Sequence, residues 1–197
     1  MEPRTRLAGL RIIALGCALL LATAAAQAPR QPAPGVLLVA SEQMADPRFN
    51  RSVVLLVEHD RTGSWGLIIN KPTDIGVAEI APSVAAGAEG ATVYFGGPVQ
   101  VNQLRVLYRD GKTGGGATGL PGVRWSGSVD VLSRHLQADP LRARIYAGYA
   151  GWAPGQLDFE LAHGGWRLIE GRAGNVFSDE PEQLWRRLNT ALDGIAI

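Results

Sequence analysis

The chain has 197 residues, with 19 lysines and arginines against 18 aspartates and glutamates, for a formal net charge of +1. Hydrophobic residues make up 46% and charged residues 19%, which excludes a disordered chain, and the length suits one domain with a substantial core. The single cysteine, Cys17, excludes an internal disulfide and a thiolate metal cluster.

Arg4, Arg6 and Arg11 lead into an uncharged stretch over 12–27, whose apolar centre IIALGCALLLA (12–22) gives way to the small-residue run TAAAQA (23–28). A basic start, a short apolar centre and an A-x-A ending are the parts of a secretory signal peptide, here residues 1–26. Ala24 and Ala26 suit the small pockets of a signal peptidase, with cleavage before Gln27; Pro29 disfavours cleavage after Ala28. The expected location is therefore the periplasm. Two alternatives stay open: an uncleaved anchor over 12–27, and a cytoplasmic protein whose start codon is mis-assigned. The apolar run is shorter than the roughly 20 residues that cross a bilayer. Cys17 lies in its middle and reads as an ordinary apolar residue of the leader. Residues 1–26 carry three arginines and one glutamate, so the remainder is close to neutral and slightly acidic. A near-neutral domain with no basic run has little counterion-release drive towards nucleic acid, so no nucleic-acid partner is expected, and membrane contact only through the leader.

Residues 27–35 form a proline-rich linker, and the domain is expected over 36–197. GVLLVAS (35–41) reads as a buried strand, MADPRFNR (44–51) as a loop, and SVVLLVEHD (52–60) as a second, β-branched strand. A turn over 61–64 joins it to WGLIINKP (65–72), a strand ended by Pro72, and the close spacing predicts an antiparallel hairpin. Ile75–Ile80 is expected as a short helix and 83–91 as loop or weak helix. TVYFGGP (92–98) and LRVLYR (104–109) read as strands, and 111–122 as a glycine-rich excursion. Val129, Leu132 and Leu136 mark one face of a helix capped by Ser126 or Ser128 and ended at Asp139-Pro140. ARIYAGYAG (143–151) reads as a strand. Pro154 is placed in the first turn of a helix carrying Leu157 and Leu161, stopped by Gly164-Gly165. WRLIEG (166–171) and GNVF (174–177) are expected as short strands. The final helix is expected to start from an Asp179/Glu182 capping arrangement with Pro181 in its first turn, and to bury Leu184, Leu188, Ala191 and Leu192. Together these predict an α+β fold: a single compact domain with a large mixed, mainly antiparallel β-sheet and packed helices.

Four blocks of this chain, SEQMADPRFNRSVVLLVEHDRTGSWGLIINKP (41–72), YFGGPVQ (94–100), YAGYAGWAPGQLDFEL (146–161) and NVFSDEPEQLWRRL (175–188), resemble in order the blocks of the YqgE/AlgH family. The resemblance covers essentially all of 35–193. It implies a compact α+β domain with a large mixed sheet and brings no agreed catalytic residues. The AlgH name carries an association with transcriptional control, which no helix-turn-helix spacing or basic recognition helix here supports. Glu42-Gln43 stand where the family often has proline, and Tyr108 where it often has histidine; a function resting on that histidine would be lost here. Family members usually start close to the first strand and are cytoplasmic, so the leader is a departure.

The candidate site residues are Glu58, His59, Asn70, Lys71, Gly96, Gly97, Trp152 and Gln156. Glu58, His59 and Asp60 end a strand, where a histidine beside two acids could act as a general base; alternation puts His59 on the face opposite the two acids. Asn70 and Lys71 end the next strand and are expected beside Glu58 and His59, either as a cross-strand Glu58–Lys71 ion pair or as a polar pocket for an anionic or nucleoside-like ligand. Gly96-Gly97-Pro98 reads as a tight turn or close backbone approach without the spacing of a dinucleotide fingerprint, and Gly114–Gly116 is no P-loop. Trp152 and Gln156 flank Pro154-Gly155 at a helix entry that could hold an anion, or where Trp152 could pack the loop onto the core. His59, His135 and His163 make no ligand spacing, so no metal is expected, and no cofactor; His163 reads as a C-terminal helix cap and His135 as a boundary residue. No G-x-S-x-G run presents a serine nucleophile. The residues thus point to a non-catalytic binding or regulatory domain for a small ligand or protein partner. A hydrolase built on Glu58, His59 and Lys71 and a DNA-binding regulator are the alternatives.

Overall fold

The computed structural model describes residues 31–84, 90–109, 115–139 and 142–194; the expected leader, Lys112 and Gly114 lie outside them. The described strands are β1 (Val36–Ala40), β2 (Val53–Asp60), β3 (Gly63–Ile68), β4 (Pro72–Gly76), β5 (Thr92–Phe95), β6 (Val99–Arg109), β7 (Gly116–Ala117), β8 (Val123–Ser126), β9 (Ala143–Trp152) and β10 (Trp166–Glu170). The described helices are α1 (Val77–Ile80), α2 (Val129–Ala138), α3 (Gln156–Ala162), α4 (Ala173–Val176) and α5 (Leu184–Asp193). The sheet runs β10-β1-β2-β3-β9-β6-β8-β7, with β4 paired to β5 and β5 to β9. Every described pairing is antiparallel except β5 on β9. This is the predicted α+β class with its large mixed, mainly antiparallel sheet.

All five residues of β1 are buried, because helices and loops cover both sheet faces there; that is why VLLVA reads as an unbroken apolar run. On one face Leu37, Leu55, Leu67 and Tyr146 pack with Leu184, Leu188 and Leu192 of α5. On the other, Leu38, Val54 and Ile68 pack with Leu157 of α3 and with Trp152 and Trp166. A third cluster lies under α1 and α2, where Val77, Leu132 and Leu136 meet Val93, Val106 and Ile145.

The long strand β9 joins these clusters. Along one edge it pairs with β6; along the other it pairs first with β5 and then, past Gly148, with β3. The strand changes partner at Gly148, which has φ +71°, and at Gly96-Gly97, whose backbone crosses it. Because Gly148 interrupts the alternation, Tyr146 and Tyr149 face the same cluster although they are three residues apart.

Several local expectations need correction. GNVF is not a strand: Ala173–Val176 form α4. Ile75–Ile80 divides into the end of β4 and the single turn α1, because Thr73 and Gly76 are held by β5 before the helix begins. Val123–Ser126 is a strand paired with β6, inside a segment that carries little periodicity. Pro154 precedes α3 rather than sitting in its first turn, since Gly155 in the left-handed region is the N-cap. Val129 is 62% exposed, so α2 buries only Leu132 and Leu136. The last helix starts at Leu184 after a 3-10 turn over Pro181–Gln183, with Glu180 rather than Asp179 preceding the turn. Leu184, Leu188 and Leu192 are buried as expected; Asn189 is buried with them, while Ala191 is exposed.

Candidate functional site

The β2–β3 hairpin has the predicted antiparallel sense, but its register separates the polar residues expected to meet. Val54 pairs with Ile68 and Asp60 with Gly63, so Glu58 lies opposite Trp65. Lys71 is six residues beyond Trp65, about 20 Å of extended backbone. No Glu58–Lys71 ion pair forms. Lys71 Nζ instead donates to the Arg48 carbonyl at 2.9 Å, and half-burial lowers its pKa from the usual lysine value. Asn70 is buried and structural: Oδ1 accepts from the Val53 amide at 2.7 Å, and Nδ2 donates to the Arg51 carbonyl at 2.9 Å. Asn70→Leu should therefore lower stability by about 2–3 kcal/mol in denaturant titration, since it leaves two backbone groups without their partner.

A bulge between Leu56 and Glu58 resets the alternation of β2. Glu58 turns to the Trp65 side, where Oε2 accepts from the indole Nε1 at 2.8 Å. His59 faces the opposite side, as expected, with Nδ1 2.7 Å from Ser64 Oγ and Nε2 3.9 Å from Asp158 Oδ1. Asp60 closes the turn by accepting from the Thr62 amide and hydroxyl. Glu58, His59 and Lys71 therefore do not converge on one hollow. Ser64, which no sequence motif marks, joins His59 and Asp158 in a hydroxyl–imidazole–carboxylate row. The row lies on the α3 side of the sheet, and 3.9 Å is too long for a hydrogen bond to Asp158.

Trp152 and Gln156 do meet, but around Glu160. Its Oε2 accepts from Trp152 Nε1 at 2.9 Å and from Trp166 Nε1 at 2.7 Å, while Oε1 accepts from Gln156 Nε2 at 2.9 Å. Gln156 Oε1 also accepts from the Ala153 amide, so the helix entry is closed by the chain's own side chain. Trp152 packs on Phe49 and Trp166, the structural alternative for this residue. Gly96 and Gly97 are close-approach positions: a Cβ on Gly97 would lie 2.2 Å from the Tyr149 carbonyl carbon, and one on Gly96 2.4 Å from the Gly148 oxygen. His163 caps α3, its Nδ1 2.8 Å from the Phe159 carbonyl, and His135 stacks on Tyr108 at 3.9 Å. Among the described residues no cluster of histidine, cysteine, aspartate and glutamate is arranged to hold a metal, and no helix is long and apolar enough to cross a membrane.

The site that the geometry does assemble takes in Glu58 and Trp152 at its edge but centres on residues outside the expected set. A groove of about 1150 Å³ opens between the β2–β3 hairpin, β6 and the start of α2. Its aromatic wall comes from three strands: Trp65 of β3, Trp125 of β8 and Tyr149 of β9. The Trp65 ring meets Trp125 edge-on at 4.7 Å and Tyr149 at 6.0 Å. Arg105 of β6 lies over Tyr149 at 4.5 Å and over Trp65 at 5.9 Å. Its Nη2 donates to Gln100 Oε1 at 3.0 Å, and Nη1 is shut away from solvent with no hydrogen-bond partner among the described residues. Gln100 holds its place at φ +50°, uncommon for a residue with a side chain. Burial pulls the Arg105 pKa below the ordinary arginine value, although the group stays charged. The far end of the groove is apolar, with Ile80, Val84, Val129 and Leu132. Sequence reasoning missed all of this, because Trp65, Arg105, Trp125 and Tyr149 come together only through the order of the strands.

The molecule is thus a one-sheet α+β domain with an aromatic groove, and its described polar side chains are mostly engaged in holding the fold. The chain belongs to the AlgH-like family, whose model matches residues 37–196. A UPF0301 protein of Myxococcus xanthus is 40% identical over 169 residues, covering 84% of this chain and 91% of its own. A UPF0301 protein of Streptomyces coelicolor is 40% identical over 161 residues, covering 78% and 83%. Among solved structures, the solution structure of the AlgH protein of Pseudomonas aeruginosa is similar with a TM-score of 0.66 and 31% identity, covering 86% of this chain and 94% of that one. A crystal structure from Corynebacterium diphtheriae shares the fold with a TM-score of 0.69 at 23% identity, covering 83% and 88%.

Proposed function

We propose that this protein is a non-catalytic binding domain for a small ligand, and that the ligand occupies the groove walled by Trp65, Trp125, Tyr149 and Arg105. The observation that carries the reading is the joining of three aromatic rings and a cation with no carboxylate partner among the described residues along one open hollow. A concave, largely apolar wall with a few polar groups is the usual form of a small-molecule site. The polar residues at the ends of β2 and β3 form no second site, since Glu58, His59 and Lys71 are engaged by neighbours. Thermal-shift screening of the full chain against a metabolite collection tests the reading. Binders should raise the melting midpoint, and Trp125→Ala should abolish the shift; binders whose shifts survive that substitution would place the site elsewhere.

A hydrolytic reading has one supporting observation, the contact of Ser64 Oγ with His59 Nδ1. It predicts covalent labelling of Ser64 by a fluorophosphonate, lost in His59→Ala. On the binding reading Ser64 stays unmodified, and mass spectrometry of the labelled chain decides.

The apolar leader supports export to the periplasm with cleavage before Gln27. N-terminal sequencing of protein from fractionated cells should then begin at Gln27; a start at Met1 would favour the anchored form, and a downstream initiator methionine in the cytoplasmic fraction a mis-assigned start codon.

A further inference from the structure

We infer that the groove selects a small carboxylate with a flat apolar body, its carboxylate held by Arg105. The inference rests on the binding reading above and adds the ligand's chemistry.

The charge of Arg105 has no counter-charge among the described residues. Among the described residues Nη2 is given to a neutral amide oxygen, Nη1 lies shut away from solvent without a partner, and no carboxylate forms an ion pair with the guanidinium. A cation half withdrawn from water against aromatic faces, with no counter-charge, is a place where an incoming anion offsets a desolvation cost already present in the fold. A delocalised, weakly hydrated guanidinium charge lying over aromatic rings favours a carboxylate over a compact, strongly hydrated anion.

Charge is also graded along the groove. Glu58 occupies the indole N–H edge of Trp65, whereas Arg105 lies over the ring itself. An anion is repelled from the Glu58 end and drawn to Arg105. Beyond Arg105 the wall passes to Leu104, Leu132, Val129 and Ile80, none of them charged. A ligand lying with its charge on Arg105 therefore carries an apolar body towards α2. The faces of Trp125 and Tyr149 favour a flat body over a branched one. A volume of about 1150 Å³ admits more than a single ring.

Calorimetric titration of the full chain with naphthoate and with its uncharged isostere naphthamide tests the inference. Naphthoate should bind at least about tenfold more tightly than naphthamide. Arg105→Gln should bring naphthoate down to the level of the amide and leave the amide unchanged. Val129→Glu, at the exposed rim, should weaken both ligands without disturbing the fold, so the groove is tested even if the arginine variant is unstable. Equal affinities for the two probes, both weakened by Val129→Glu, would overturn the carboxylate selection and leave the groove standing. If neither probe binds, or if binding ignores both substitutions, the groove reading falls with it.

Discussion

Gly97→Ala is expected to abolish the native fold, or to lower its stability by at least about 4 kcal/mol, measured by thermal and denaturant unfolding followed by circular dichroism. Two effects combine. At φ +147° the backbone of Gly97 lies where a side chain is strained in any surroundings. The added Cβ would also sit 2.2 to 2.3 Å from the Tyr149 carbonyl and the Ala150 nitrogen, which are backbone atoms of the central strand and cannot turn aside. Gly148 meets the same constraint from the other side, with the Gly97 carbonyl oxygen 2.3 Å from its hypothetical Cβ. Gly155→Ala is the control. Its φ of +74° is also left-handed, but nothing lies within 4 Å, so the expected loss is only about 1 kcal/mol. Gly174→Ala, with open space and no positive φ, should be close to neutral.

Trp152→Ala should cost about 3–5 kcal/mol in the same measurements, close to what small domains can lose before unfolding at physiological temperature. Trp152 is 5% exposed and makes ring contacts with Phe49 and Trp166. Its removal opens a cavity between α3 and the sheet and takes one of two indole donors from Glu160. Trp152→Phe keeps most of the volume and loses the donor, and should fall well short of the alanine value. If the two variants lose equal stability, the hydrogen bond to Glu160 is the larger contribution and packing the smaller. Trp125→Ala provides the contrast: it lines the groove and is only half-buried, so its effect on ligand binding should exceed its effect on stability.

Much of the fold is legible in the residues, for identifiable reasons. The apolar runs at 36–40 and 53–57 and the β-forming stretch at 143–150 read as strands, and the leucine spacing 184, 188, 192 reads as one helix face. The hairpin was readable from its turn. Its register is only partly legible: with Asp60 opposite Gly63, Lys71 belongs at the far end of the pair, and the bulge beyond Leu56 that turns Glu58 towards Trp65 leaves no mark in composition. GNVF misled because β-forming Val and Phe outweighed a four-residue turn held by the Asn175 side chain on the Arg172 amide. The groove was illegible for a deeper reason. Residues 65, 105, 125 and 149 share no spacing, and their meeting depends on β9 lying between β3 and β6. The family blocks, by contrast, mark stretches where the backbone itself is constrained: Gly96-Gly97 at the strand crossing, and Trp152 with Gln156 around Glu160.

The position of β1 bears on how the chain must be made. Its two neighbours are β2, which follows at once, and β10, which begins 126 residues after Ala40 at Trp166. Trp185 of α5 then donates its indole N–H to the Ala40 carbonyl. The outer side of β1 is thus covered only by segments more than a hundred residues downstream of it, and closure of such long loops is slow. Until that closure the outer edge of β1 is an open row of backbone donors and acceptors, a template for pairing with another chain.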